Sequence, residues 1–168
     1  MLGAASLLAA PASASILDYV GECVPFARQA SGIQIWGDAW TWWGQAQGKY
    51  QRGDTPEVGA VVAFAKSNAL RLGQVSVVSR IIEPRVIMVT HANWSRSDGK
   101  HGQVEQDVTL FDVSPAGDWS QVKVWYRDTR GLGGTTYPVH GFSYGRPPSG
   151  AKVARARPAA ELTGARPD

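Results

Sequence analysis

The sequence predicts an α+β domain, with two N-terminal helices packed on an antiparallel sheet of about five or six strands. Three observations predict it. Apolar residues recur at helical spacing between residues 16 and 48. From about residue 59 the period shortens to that of strands. The runs that follow are short and β-branched or alternating, and Gly, Pro, Asp or Ser separates them.

The first helix lies in "ILDYVGECVPFARQASG", where residues 16, 17, 20, 24 and 27 are apolar at helical spacing. Pro25 is comfortable only in a first helical turn, so the helix begins near Glu22 or Cys23, and Gly32 stops it. The second helix, "DAWTWWGQAQG", runs from a capping Asp38 to Gly48. Trp36, Trp40 and Trp43 share one face of it and are assigned to core packing, while Trp42 points elsewhere and is a groove-lining candidate. The strands follow as "GAVVAFA", "GQVSVVSRI", "RVIMVTHANW", "GQVEQDVTLF", "SQVKVWYR" and "VHGFSYG", with "IIEPR" as the turn between the second and third.

The ends differ from the middle. "MLGAASLLAAPASAS" is apolar and then small, and Ala12-Ser13-Ala14 fits a signal-peptidase site. Residues 1–14 are therefore expected to be a signal peptide, clipped at its basic end, and the protein secreted or periplasmic; an apolar arm is the alternative. Residues 15–146 hold the domain, and the Pro/Ala/Arg-rich residues 147–168 are expected to be a flexible tail. The whole net charge of +3 resides from Arg146 onward, in Arg146, Lys152, Arg155, Arg157 and Arg166 against Glu161 and Asp168. The rest is neutral overall, so nothing about it suits nucleic acid. The tail suits an anionic wall or membrane surface, or serves only as a solubilising end. No apolar run approaches the roughly 20 residues that cross a bilayer, so no transmembrane span is expected.

Cys23 is the single cysteine, which leaves no disulfide framework to read. At the first turn of a helix, unpaired N–H groups and the helix dipole favour a thiolate and can hold an oxyanion. A small buried hydrophobe is the other common role of a free cysteine. His101 sits in the loop sequence "SDGKHGQ" and His140 in the last strand, neither with a second ligand at metal spacing. No metal and no cofactor is expected.

"YVGECVPFAR", "GDAWTWW", "TPEVGAVVAF", "LGQVSVVSRI", "THANWS" and "YPVHGFSYG", in this order from about Ile16 to Tyr144, resemble a CHAP domain, a cysteine, histidine-dependent amidohydrolase/peptidase. The resemblance implies a papain-like fold and a secreted hydrolase of peptidoglycan amide bonds, acting as N-acetylmuramoyl-L-alanine amidase or stem-peptide endopeptidase. It makes Cys23 the nucleophile at the opening of the first helix. It also implies an orienting polar residue and an Asn on the strand after the base, here His91 and Asn93. Trp94 is similar to the family residue that covers the polar side of the site.

The family's base is a histidine in the phrase G-H-V, and that phrase here reads Gly73-Gln74-Val75. A glutamine amide takes up no proton at useful pH, whereas the histidine both activates the thiol and protonates the departing amine. Three readings stay open. The protein is an inactive relative that binds cell-wall peptide or a partner; or His91 serves as base, on one strand face with Asn93; or Gln74 is a single change in an otherwise working enzyme.

Overall fold

The computed structural model describes residues 15–95, 100–126 and 129–148. The expected signal peptide and nearly all of the expected tail lie outside them. After a 3-10 turn at Ile16–Asp18, helix α1 spans Cys23–Ser31 and helix α2 spans Trp42–Ala46. Eight strands follow: β1 Arg52–Gly53, β2 Val61–Phe64, β3 Gln74–Glu83, β4 Val86–Ala92, β5 Val104–Asp112, β6 Gln121–Tyr126, β7 Gly131–Leu132 and β8 Tyr137–Ser143.

The strands close on themselves. β8, β2, β3, β4, β5 and β6 are neighbours in that order, and β6 pairs back onto β8 through Gln121↔Pro138 and Val122↔Tyr137. The result is a six-stranded antiparallel barrel with β1 and β7 as short additions. This overturns the expected α+β, papain-like layering of N-terminal helices on a sheet. Local alternation marks each strand but carries no sign of closure. Closure comes from the return of β8, which runs beside β2 far upstream in the chain and beside β6 just before it.

Two apolar clusters explain the burial pattern. Val62, Phe64, Val89, Leu110, Val122 and Phe142 fill the barrel interior. Val61, Ala63, Val75 and Val77 point the other way and meet Cys23, Val24, Phe26 and Ala27 of α1. All four residues of β2 are therefore buried, because both faces of that strand are covered.

Helix α1 obeys its sequence signals. It starts at Cys23 and ends where Gly32 takes the left-handed conformation (φ 77°), its N–H bonding the Arg28 carbonyl at 3.0 Å. The second helix departs from expectation. Residues Ala39–Thr41 form a 3-10 turn before the five-residue α2, and Asp38 makes no side-chain cap. That turn breaks the 3.6-residue register, so the faces of the tryptophans are exchanged. Trp42, expected to line a groove, is fully buried, while Trp36 and Trp40, expected in the core, are exposed.

Arg146 also belongs to the folded part. It grips Glu57 with two bonds of 2.7 and 2.8 Å and lies over the Tyr144 ring. One charge of the basic C-terminal surplus is thus matched within the domain.

Candidate active site

Cys23 opens α1, and the chain before it is stitched to the barrel. Gly21 N–H donates to the Gly102 carbonyl, Val20 bridges to Gln103, and the Tyr19 hydroxyl donates to the Glu22 carbonyl. These contacts hold the helix start against the chain entering β5. The thiol is 8% exposed. Burial raises its pKa, opposed by N–H groups of Val75, Cys23 and Val24 that bond the sulfur; the neighbouring Glu22 charge raises it further. Burial wins, so the thiol is a poor thiolate at neutral pH.

The Val75 N–H that reaches the sulfur follows Gln74 directly, so the thiol meets β3 at its first residues. Gly73 lets the Trp40 backbone lie against the start of β3. It adopts φ 70°, and a Cβ there would lie 2.9 Å from the Trp40 nitrogen and 3.0 Å from the Phe64 oxygen. Gln74 is buried, and its amide nitrogen donates to the Ala92 carbonyl at 3.2 Å. β3 and β4 pair through Val77↔Thr90, and continuing that register sets Gln74 opposite Asn93. Asn93 is itself in the left-handed conformation (φ 61°), which Asn tolerates, and its side-chain nitrogen donates to Glu22 Oε2 at 2.9 Å. Cys23, Gln74, Asn93 and Glu22 thus gather at the barrel rim.

His91 lies two pairs deeper, opposite Ser76. Its Nδ1 and the Ser76 hydroxyl share a 2.8 Å hydrogen bond, and its ring stacks on Trp94 at 5.1 Å. Trp94 in turn packs on Phe64 and Tyr137 of the barrel interior. The imidazole is 0% exposed, its Nε2 is enclosed without a hydrogen-bond partner among the described residues, and burial lowers its pKa to about 3. It is neutral at any working pH. Cys23 belongs to the cluster between barrel and helix, whereas the His91 ring stacks on Trp94 at the edge of the interior cluster.

The structure therefore brings together Cys23, Gln74 and Asn93 of the expected set. It places Trp94 over His91, and it withdraws His91 and Trp42 from the rim. Glu22 was not singled out as a site residue; its position beside Cys23 was the available signal. Among the described residues no group of three or more His, Cys, Asp or Glu side chains could hold a metal ion.

Residues 15–93 match the family model of the CHAP domain. Over that stretch the chain belongs to the CHAP family. No curated protein matches the chain. The CHAP domain points to an amidase- or peptidase-type function on peptidoglycan. The match ends at Asn93, so it contains the whole rim constellation while β5 to β8 lie beyond it. No helix among the described residues is long and apolar enough to cross a membrane.

Proposed function

We propose that this protein is an exported CHAP-domain protein that holds peptidoglycan stem peptides at the Cys23 rim, and that amide cleavage there is silenced at Gln74. The observation that carries the reading is the burial of His91. Its imidazole is fully buried, one nitrogen is engaged by Ser76, and the ring is covered by Trp94. His91 then does not serve Cys23 as base. Gln74 cannot do so either, because an amide neither accepts the thiol proton nor protonates a departing amine. Loss of that assistance removes about 10²–10⁴-fold in rate, and burial of the thiol lowers the nucleophile fraction further.

The remaining parts support a binding role for the same rim. The Asn93–Glu22 pair offers peptide-binding polarity at the rim. The test compares three proteins on insoluble peptidoglycan: the chain as given, Gln74→His and Cys23→Ala. The expected outcome is that all three sediment with the polymer and only Gln74→His releases soluble fragments. Release by the unaltered chain that disappears in Cys23→Ala would sink the proposal, since a base would then exist.

A further inference from the structure

Two tryptophans stand out in the described surface. Trp36 is 57% exposed and Trp40 is 42% exposed, four residues apart in the segment leading into the 3-10 turn. Leu72 joins them at 60% exposure, tied by the 2.9 Å bond from the Trp40 N–H to its carbonyl. Large side chains of this kind, exposed together beside a site, mark an interaction surface. Each indole also carries a cation on its ring: Arg28 lies 4.8 Å from the centre of Trp36, and the ammonium of Lys66 lies 4.5 Å from that of Trp40. Arg71, next to Leu72, is exposed as well. The acidic group of the patch is Asp38, whose carboxylate accepts the Trp40 indole N–H at 3.2 Å.

The platform adjoins the rim. Gly73, which separates Leu72 from Gln74, packs directly on the Trp40 backbone. A ligand lying along Trp40 and Leu72 therefore reaches the start of β3, where the Cys23 thiol receives the Val75 N–H.

We propose that Trp36, Trp40 and Leu72, flanked by Arg28, Lys66 and Arg71, form a stacking platform for the sugar chain of peptidoglycan, with the cations facing the carboxylates of its peptide branches. The inference rests on the peptidoglycan-binding reading above and names the part of the polymer that this face takes. Sugar rings present flat C–H faces that cover an indole, and their hydroxyls can donate to a carboxylate such as Asp38. The platform also holds its shape before binding, since both indoles are pinned by cations and Trp40 by its backbone bond.

The experiment measures sedimentation of the full chain with insoluble peptidoglycan, for the parent, the double variant Trp36→Ala/Trp40→Ala and the conservative Trp36→Tyr/Trp40→Tyr. A parallel arm uses vesicles of anionic phospholipid. The expected result is a loss of affinity of roughly tenfold or more in the alanine variant, and near-parent binding in the tyrosine variant, which keeps two stacking rings. Both indoles are exposed, so the unfolding midpoint should stay near that of the parent. Equal sedimentation of parent and alanine variant would overturn the platform and leave the binding reading standing. Failure of the parent itself to sediment would overturn the binding reading, and the platform with it. Loss confined to the vesicle arm would reassign the face to lipid.

Discussion

At the rim of the β3–β4 hairpin Gln74 stands opposite Asn93, and two pairs inward Ser76 meets His91. The two pairs share a strand face and lie only about 7 Å apart along the chain, two residues of extended backbone. Their environments are nevertheless unlike. The rim pair adjoins the peptide that bonds the Cys23 sulfur and reaches Glu22 through Asn93. The inner pair is roofed by Trp94 and holds a histidine that stays neutral down to about pH 3. On the proposed reading a histidine at the rim position would be a usable base, whereas at the inner position it is a buried, neutral filler. Depth along a strand decides between them as firmly as the choice of face.

The largest expected effect restores the base at the rim. Gln74→His puts an imidazole where the thiol already meets β3, and amide cleavage should rise by about 10²–10⁴-fold over the parent. Release of dye-labelled fragments from peptidoglycan measures it. If instead His91→Gln abolished a measurable parent activity, the inner histidine would be the base and the contrast between the pairs would collapse.

A comparable contrast separates the tryptophans. Trp42 is enclosed on all sides against Cys23, Ile33 and Ala46 in the cluster beneath α1, whereas Trp36 faces solvent. Trp42→Ala should cost about 3–5 kcal/mol in urea unfolding, and Trp36→Ala should stay within about 0.5 kcal/mol. Equal costs would show that the 3-10 turn at Ala39–Thr41 does not exchange the faces as described.

Much of the rim was legible in the sequence. Pro25 and Gly32 bracket α1, Cys23 falls at its start, and the phrase Gly73-Gln74-Val75 marks where the proposed lesion lies. The depth of His91 was not, because alternation reads identically for a residue at the rim and one inside: period two names a face and carries no distance from the barrel's end. Nor was the burial of Trp42, since a 3-10 turn has no composition that separates it from the first turn of an α-helix. Closure of the barrel was the least legible feature. It depends on β8 finding β2 and β6 together, a contact between segments some 75 residues apart that no local pattern encodes.

The inner histidine should also betray itself in acid. Its pKa is about 3 in the folded chain, against about 6.5 for an unperturbed imidazole. Below pH 6.5 the unfolded chain binds a proton that the folded chain refuses, so stability falls as pH drops toward 3; above 6.5 both forms are neutral and this contribution is flat. Between pH 7 and pH 5 the loss should be about 2 kcal/mol, read from urea midpoints, and His91→Gln should remove it. A parent whose stability is constant across that interval would mean that the ring is solvated and able to titrate.

The smallest effect concerns the thiol. Burial sets its pKa above the ordinary range in the folded chain, while the helix-start N–H groups and the Val75 N–H pull the other way. At neutral pH the folded chain should react with iodoacetamide more slowly than the same chain unfolded in urea, where both influences vanish. Gln74→His should narrow the gap, because an imidazole beside the sulfur takes its proton. If the folded parent reacts faster than the unfolded chain, the helix start outweighs burial and the nucleophile is already poised. The lesion at the rim would then lie wholly in the second half of catalysis, where a departing amine needs a proton that Gln74 cannot give.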